Sequence, residues 1–542
     1  MLDPQDKAQT TRLMLAVVIS LVVLLGFELL GAGWRTAPPE QALEQAVAPA
    51  DVAVEVSEPA AKVSQMEELV VLENDRMKLG LNPVGGRFDA LVLKNFTVTQ
   101  SDALGYAQLH VDGTHPEYVE SGWLGAGIAA PGSGARWQVQ GRQDDRVRLA
   151  FDNGSGQSFV RDIWLDAETY TVRVRDVVRN TAALPVTVTP YAQAHRLGGG
   201  LPGEMSSFVN HLGPMGVVRD DDEALLYEGD FDDIAKGKGS LTLGGKGGWW
   251  GIASQYFLTA LVPPEGQEVT RVFKGGQLDG RPLATVGLKG EGLVVPAGGE
   301  AAYEFSVYAG PKQEDALLAV GHDLERAIDW GWFRMLARPF YRVLLWCHDL
   351  TGSWAVALFL LTLLLKIVTF PLANKSYHAM AKMKKLQPQM EALRERMKDN
   401  QQDLALEMMK LYQREKVNPL SGCWPMLIQI PVFFAMYKVV LLAFEFRHAA
   451  PELWPLDLWV HDMSVADPLF ILPVLMGASM WVQMRLNPPP ADPAQAMVFK
   501  WMPVMFTFMF LWFPAALVWY WLVNNVLSIA QQAYIMRKDK AI

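Results

Sequence analysis

The long apolar runs of this 542-residue chain lie at its two ends, and their lengths fit a bilayer. The first runs from Leu13 to Phe27 and continues through Glu28 to Leu29 and Leu30. At about 1.5 Å per residue it spans roughly 27 Å, close to one hydrocarbon core. Asp3 and Asp6 precede it, and Ala46-Val47-Ala48 lies too far downstream for a cleavage site, so it reads as an uncleaved anchor over 1–33 rather than a signal peptide. No run between 62 and 330 is long and apolar enough to span. Then four follow: Trp354–Leu372, Leu420–Phe444, Pro468–Met484 and Met497–Met536. As one helix the last would be about 60 Å long, twice the bilayer core, so two helices with a tight turn near Phe513-Pro514 fit better. The expectation is six spans: the anchor, 354–372, 420–444, 468–484, 497–513 and 515–535.

Charge sets the orientation. Residues 31–333 carry 25 Lys+Arg against 41 Asp+Glu, whereas 334–542 carry 21 against 14. The basic residues of the second half cluster at Lys375–Lys416, at Arg485 and Lys500, and in the tail 537–542. The positive-inside rule places these and both termini in the cytoplasm, and the large acidic region outside.

That outer region, 62–326, follows a Pro/Ala/Glu-rich linker, 34–61. It alternates with period two at Met77-Leu79-Leu81, Tyr170-Val172-Val174 and Tyr303-Phe305-Val307, with Gly and Pro clusters between the runs. This predicts an antiparallel β-sandwich. Trp249, Trp250 and Tyr256 read as core before they read as a cleft lining, and Asp220–Glu223 as a solvated acidic loop rather than a calcium site. Trp330, Trp332, Arg334, Arg338 and Arg342 at helical spacing predict an interfacial amphipathic helix over 327–350, which Pro339 should break or bend. Residues 375–416 read as a charged helical hairpin of net charge +4, projecting into the cytoplasm. Its methionines, Met380, Met383 and Met390 among them, fit either the hairpin's own seam or a soft surface for varied apolar partners. Its charge suits anionic lipid or RNA alike.

Two cysteines, nine scattered histidines and no GxxxxGK[ST] loop exclude a disulfide scaffold, the usual zinc spacings and a P-loop motor. No cofactor is expected.

Lys366 sits mid-span, twelve residues after Trp354 and six before Leu372. A cation at that depth costs about 2.5–3.5 kcal/mol on insertion scales, and snorkelling serves helix ends better than this position. It should face a wet, protein-lined cavity. Thr362 is on its helix face, and Gln429, Asn524, Asn525 and Ser528 are polar groups on other spans. The bland alternative is an interhelical ion pair, but no later span carries a central Asp or Glu. Such a cation would bind a transported anion, or attract polar stretches of another protein and lower their desolvation cost on the way across.

Residues Gly352–Ala357, Phe370-Pro371-Leu372, Met380–Met383, Leu386-Gln387-Pro388, Tyr412–Pro425, Ile428–Phe433, Asp467-Pro468, Ile471-Leu472-Pro473 and Phe510–Pro514 occur in order over about 200 residues. In these the C-terminal half resembles the YidC-type membrane protein insertases, and the Gram-negative form in particular. Ser121-Gly122 and Gln255-Tyr256-Phe257 carry a weaker likeness in the outer region. The resemblance implies an inner-membrane insertase and chaperone without covalent chemistry: a five-helix core plus anchor, a periplasmic β-sandwich dispensable for insertion, and nascent membrane proteins as clients. It also implies contact with the Sec translocon, signal recognition machinery and phospholipid, while ribosome docking is weakened by the short tail. Lys366 matches the family's groove arginine, keeping charge but losing the bidentate fork. Tyr520 and Trp521 match its paired tyrosines. Clients would touch the hairpin (Met380, Lys382, Met383, Lys384, Lys385, Met390), present polar segments to the groove (Thr362, Lys366, Gln429, Tyr520, Trp521, Asn524, Ser528), and slide apolar helices along Leu427, Ile430 and Phe433 and along Met505, Phe506 and Met509. The rivals are a secondary transporter or channel using Lys366 as counter-charge, which would carry inverted repeats, and an anchored periplasmic sugar-binding module.

Overall fold

The structure, a computed structural model, describes residues 69–98, 105–110, 116–125, 127–198, 211–220, 223–231, 233, 240–278, 280–331, 333–397, 401–415, 424–487 and 493–540. The expected anchor 1–33, the linker 34–61, Lys398, Lys416, Asp221 and Asp222 of the expected acidic loop, and the last two residues lie outside them. The described residues fall into two compact units, divided between Asp329 and Trp330.

The first unit is antiparallel β. The strand Val186–Leu197 pairs with Glu117–Gly125 on one side and Arg281–Gly290 on the other. Pairing continues through Glu268–Leu278 to the first half of Leu241–Ala253. The second half of that strand pairs instead with Phe257–Val262, which leads on to Glu300–Pro311, Thr171–Asn180 and Gln157–Leu165. One bent strand thus passes the hydrogen bonding from one layer to the other. The bend needs glycine. Gly248 has φ +72°, and a Cβ there would lie 2.1 Å from the Val217 carbonyl.

The two layers face each other where Trp123 meets Phe159, ring centres 6.3 Å apart. Along Gln157–Leu165 alternate residues point inward. One of these is Arg161, wholly buried, held by Asp176 at 2.7 Å through two nitrogens and donating to the Ser121 carbonyl. Trp249 and Trp250 are core, their indoles donating to the Asp323 and Val272 carbonyls. A short helix, α1 (Glu314–Val320), closes the unit.

In the second unit α2 spans Arg334–Thr351, not 327–350. Gly331 (φ +61°) turns the chain first, and the helix then runs through Pro339 rather than breaking. α3 is one helix from Trp354 to Arg396, capped by Ser353 Oγ accepting from the Val356 N–H. The expected span 354–372 and the first arm of the expected hairpin 375–416 thus share one helix, and where along it the bilayer ends stays an expectation. Pro371 and Pro388 each delete a single donor, and no glycine interrupts Leu372–Lys385. α4 (Gln401–Arg414) folds back, with Leu386, Met390 and Met408 buried between the arms beside Met383, Leu393, Leu404, Leu411 and Tyr412.

α5 (Trp424–Leu442), α6 (Ile471–Leu486) and α7 (Pro493–Met509) follow. A turn through Phe510–Pro514 then leads into α8 (Ala515–Lys540). α8 takes in the basic residues expected as a separate tail. Asp467, wholly buried, caps α6 by accepting from the Leu469 and Leu472 N–H groups. Among the described residues α3 alone is long and apolar enough to cross a membrane; Gln429–Leu442, Ile471–Leu486 and Met497–Trp512 are shorter apolar helices. The count of six spans stays an expectation.

Candidate functional site

α8 is the hub of the helical unit. The Trp519 indole donates to the Ala355 carbonyl of α3 at 2.9 Å, Gln429 of α5 donates to the Tyr520 hydroxyl at 3.0 Å, and Asn525 donates to Ser479 of α6 at 2.9 Å. Lys366 Nζ of α3 donates to Ser528 Oγ at 2.7 Å, and Gln532 to Asn487 at 2.9 Å. In an apolar setting such bonds satisfy groups that lipid cannot.

Between α3, α5 and α8 lies an open cavity of about 50 Å³. Its α3 wall is Thr362, Leu365, Lys366, Thr369, Leu372, Ala373 and Tyr377, its α5 wall Gln429 and Val432, and its α8 wall Tyr520 and Asn524. A water needs roughly 10–15 Å³ measured in this way together with two or more polar partners, so the volume and lining suit a few waters around the ammonium. No carboxylate of a described residue lies within ion-pair distance of Lys366; its bonded partner is the neutral Ser528.

Thr362, Lys366, Gln429, Tyr520 and Asn524 meet on this wall, and Ser528 touches the cation. Trp521 does not join them. One residue on from Tyr520 it turns about 100° around α8 and packs on Phe433 at 4.8 Å, Phe510 at 5.6 Å and Phe506 at 6.3 Å. Its expected place on the lining is corrected. Asn525 likewise faces α6. Thr369 and Tyr377 were not singled out from sequence. They lie three and eleven residues beyond Lys366, on the same stripe, and ending the span at 372 hid Tyr377.

Ile430, Met505 and Met509 are exposed at 44%, 59% and 42%, so α5 and α7 present open apolar surface. Phe433 and Phe506 are half-buried through Trp521, and the Leu427 side chain lies outside the description. On the hairpin Met383 and Met390 belong to the seam. Met380 is half-buried and outside it, Lys382 and Lys385 are exposed, and Lys384 Nζ reaches the Leu486 carbonyl at 3.5 Å. Among the described residues no cluster of three His, Cys, Asp or Glu could hold a metal.

Residues 346–541 match the family model described as 60Kd inner membrane protein, and 69–343 match that of the YidC periplasmic domain. A protein of Magnetococcus marinus named membrane protein insertase YidC is 38% identical over 97% of this chain and 98% of its own length. One of the same name from Granulibacter bethesdensis is 36% identical over 98% of each. A solved structure described as an active YidC insertase with the first transmembrane domain resolved aligns over 86% of this chain and 92% of its own, with TM-score 0.36 and 20% identity.

Proposed function

The chain belongs to the YidC family of membrane protein insertases, and on that premise we propose that it inserts newly made proteins into the bacterial inner membrane through the cavity at Lys366. The observation that carries this reading is the ammonium itself, set among apolar helices against a neutral hydroxyl and an open polar cavity. A client's polar outer segment enters there and exchanges water for the Thr362, Gln429 and Tyr520 side chains, which lowers its desolvation cost. The client's apolar helix leaves along the exposed faces of α5 and α7, with Ile430, Met505 and Met509 as the contact surface. Burial of that helix in lipid supplies the free energy, at about 25 cal/mol per Å² of apolar area removed from water.

In this reading both termini and the hairpin are cytoplasmic and the β unit periplasmic, in keeping with the basic residues at 375–416 and 537–540. The exposed lysines of α3 meet nascent chain and anionic phospholipid first. The Sec translocon, signal recognition machinery and, more weakly, the ribosome are partners by the same family premise.

Reconstitution into liposomes tests the proposal. The purified chain should integrate a two-span client without nucleotide. Solute flux without client integration would favour a transporter.

A further inference from the structure

Residues 443–470 join α5 to α6, and they form a packed cap rather than a loose connection. Phe444, Phe446, Leu456, Val460 and Met463 are buried, and the Phe446 ring meets Trp354 of α3 at 5.0 Å between centres. The backbone of the cap is bonded to the first turns of two helices. The Pro451 carbonyl accepts from Ser353 Oγ at 2.9 Å and from the Ala355 N–H at 3.1 Å, where α3 begins. The Val465 and Met463 carbonyls accept from the Ala515 and Ala516 N–H groups at 2.7 and 3.0 Å, where α8 begins.

A segment packed in this way has the means to bury its large apolar side chains, yet it turns several outward. Trp454 is 78% and Leu458 67% exposed, and Val465, Leu469 and Phe470 are exposed as well. Leu469 and Phe470 run directly into α6, whose first turns expose Val474 and Leu475. The apolar surface therefore continues from the cap onto the side of a helix. No Lys or Arg stands between Arg447 and Arg485. We propose that 451–470 is a membrane anchor lying in the headgroup layer at the end where α3 and α8 begin, with Trp454, Leu458 and Leu469 dipping into the acyl boundary.

The inference rests on the membrane location of the helical unit and not on the cavity at Lys366. A cap bonded to the first turn of α3 sits at the level where that helix becomes apolar, at Trp354, and that level is the bilayer surface. Tryptophan suits this depth because its ring is apolar and its N–H can still reach a wet acceptor. With no basic residue to pair with anionic headgroups, the contact is made by apolar side chains and acyl chains. Since the cap holds the first turns of α3 and α8 together, anchoring it sets the level of that end of both cavity walls.

Nitroxide labels measure the depth. Leu458→Cys and Leu469→Cys are made singly in the full chain, beside Ile367→Cys on the exposed side of α3 and Ala392→Cys on the exposed face of the hairpin arm. All carry Cys423→Ser; Cys347 is buried, and the chain without a new cysteine supplies the background. Power saturation is read in nanodiscs of phosphatidylethanolamine and phosphatidylglycerol, with oxygen as the lipid-soluble relaxant and a nickel chelate as the water-soluble one. Nickel access at 458 and 469 should be at least about threefold below that at 392, with oxygen access above it, as for side chains about 5–10 Å into the boundary. Nickel access equal to that at 392, with 367 shielded, overturns the anchor and leaves the spanning reading of α3 intact. Low access to both reagents means contact with protein, a second copy of the chain, and also overturns it. An aqueous reading at 367 would remove the membrane placement of α3 and the anchor together.

Discussion

Lys366 and Ser528 are 162 residues apart in sequence and 2.7 Å apart in space. The bond crosses from α3 to α8 inside the helical unit and sets a cation against a neutral group. A cation at this depth is tolerable only while water or hydroxyls replace its hydration. Lys366→Met, which keeps the stem and removes the charge, should therefore raise thermal stability or leave it unchanged in detergent while lowering insertion of acidic clients. A large loss of melting temperature would mean that the ammonium is chiefly structural.

Gly477 on α6 lies so close to α7 that a Cβ there would meet Thr507 Oγ1 at 1.8 Å and its Cβ at 3.1 Å. Thr507 is itself tied to the Pro503 carbonyl at 2.8 Å. Gly477→Ala should destabilise by about 1–3 kcal/mol, as overpacking of a filled contact does. Adding Thr507→Ala should recover a good part of it, because the nearest clash is removed. Unfolding of the single and double variants checks the coupling.

In the β unit the Arg161–Asp176 pair is buried on both sides. Removing one partner leaves an uncompensated interior charge, so Arg161→Ala or Asp176→Ala should each cost about 3–5 kcal/mol. Thermal unfolding of the purified chain measures it. Replacing both by apolar residues should cost much less than either single change.

His211 adds a pH dependence. Burial holds its imidazole below the usual pKa of 6.5, against the opposing pull of Glu228, a bond to the Pro214 carbonyl and Asp329, with Lys312 acting in the same direction as burial. Below about pH 6.5 the unfolded chain takes up the proton before the folded chain does, so this residue's contribution to stability falls as the pH drops through that range. The melting temperature of wild type should fall relative to His211→Gln between pH 7.5 and 5. A constant difference would mean that His211 does not titrate in this way.

The β unit and the helical unit are separate compact bodies. Deleting residues 70–311 should leave insertion of a small client within about twofold of wild type, as expected for parts that fold on their own cores. A stably expressed deletion that no longer inserts contradicts this.

Much of this was legible because period and length are strong signals. The alternation at Tyr170-Val172-Val174 marks a strand whichever sheet it joins, and 40 apolar residues cannot be one span, so the turn at Phe513-Pro514 follows. Lys366 was legible for the opposite reason, as a residue out of place. What stayed hidden was rotation and continuity. Trp521 was set beside Tyr520 by adjacency, but neighbours on a helix point about 100° apart, and the aromatic partners that claim Trp521 come from α5, from α7 and from the α7–α8 turn. That the span and the hairpin's first arm share the single helix α3 was not legible, because hydropathy falls at residue 373 while the backbone runs on. Arg161 in the β core could be placed inward by period two but not explained, since its partner Asp176 lies on the next strand.

The central claim is that the charge at 366 acts on the client. The most direct measurement compares wild type, Lys366→Arg and Lys366→Ala in nucleotide-free proteoliposomes, scoring integration of a client with an acidic outer segment. The account predicts that arginine retains most of the activity and that alanine loses about tenfold or more, the equivalent of one charge-assisted bond of about 1.5–3 kcal/mol. Equal integration by alanine and wild type would contradict it.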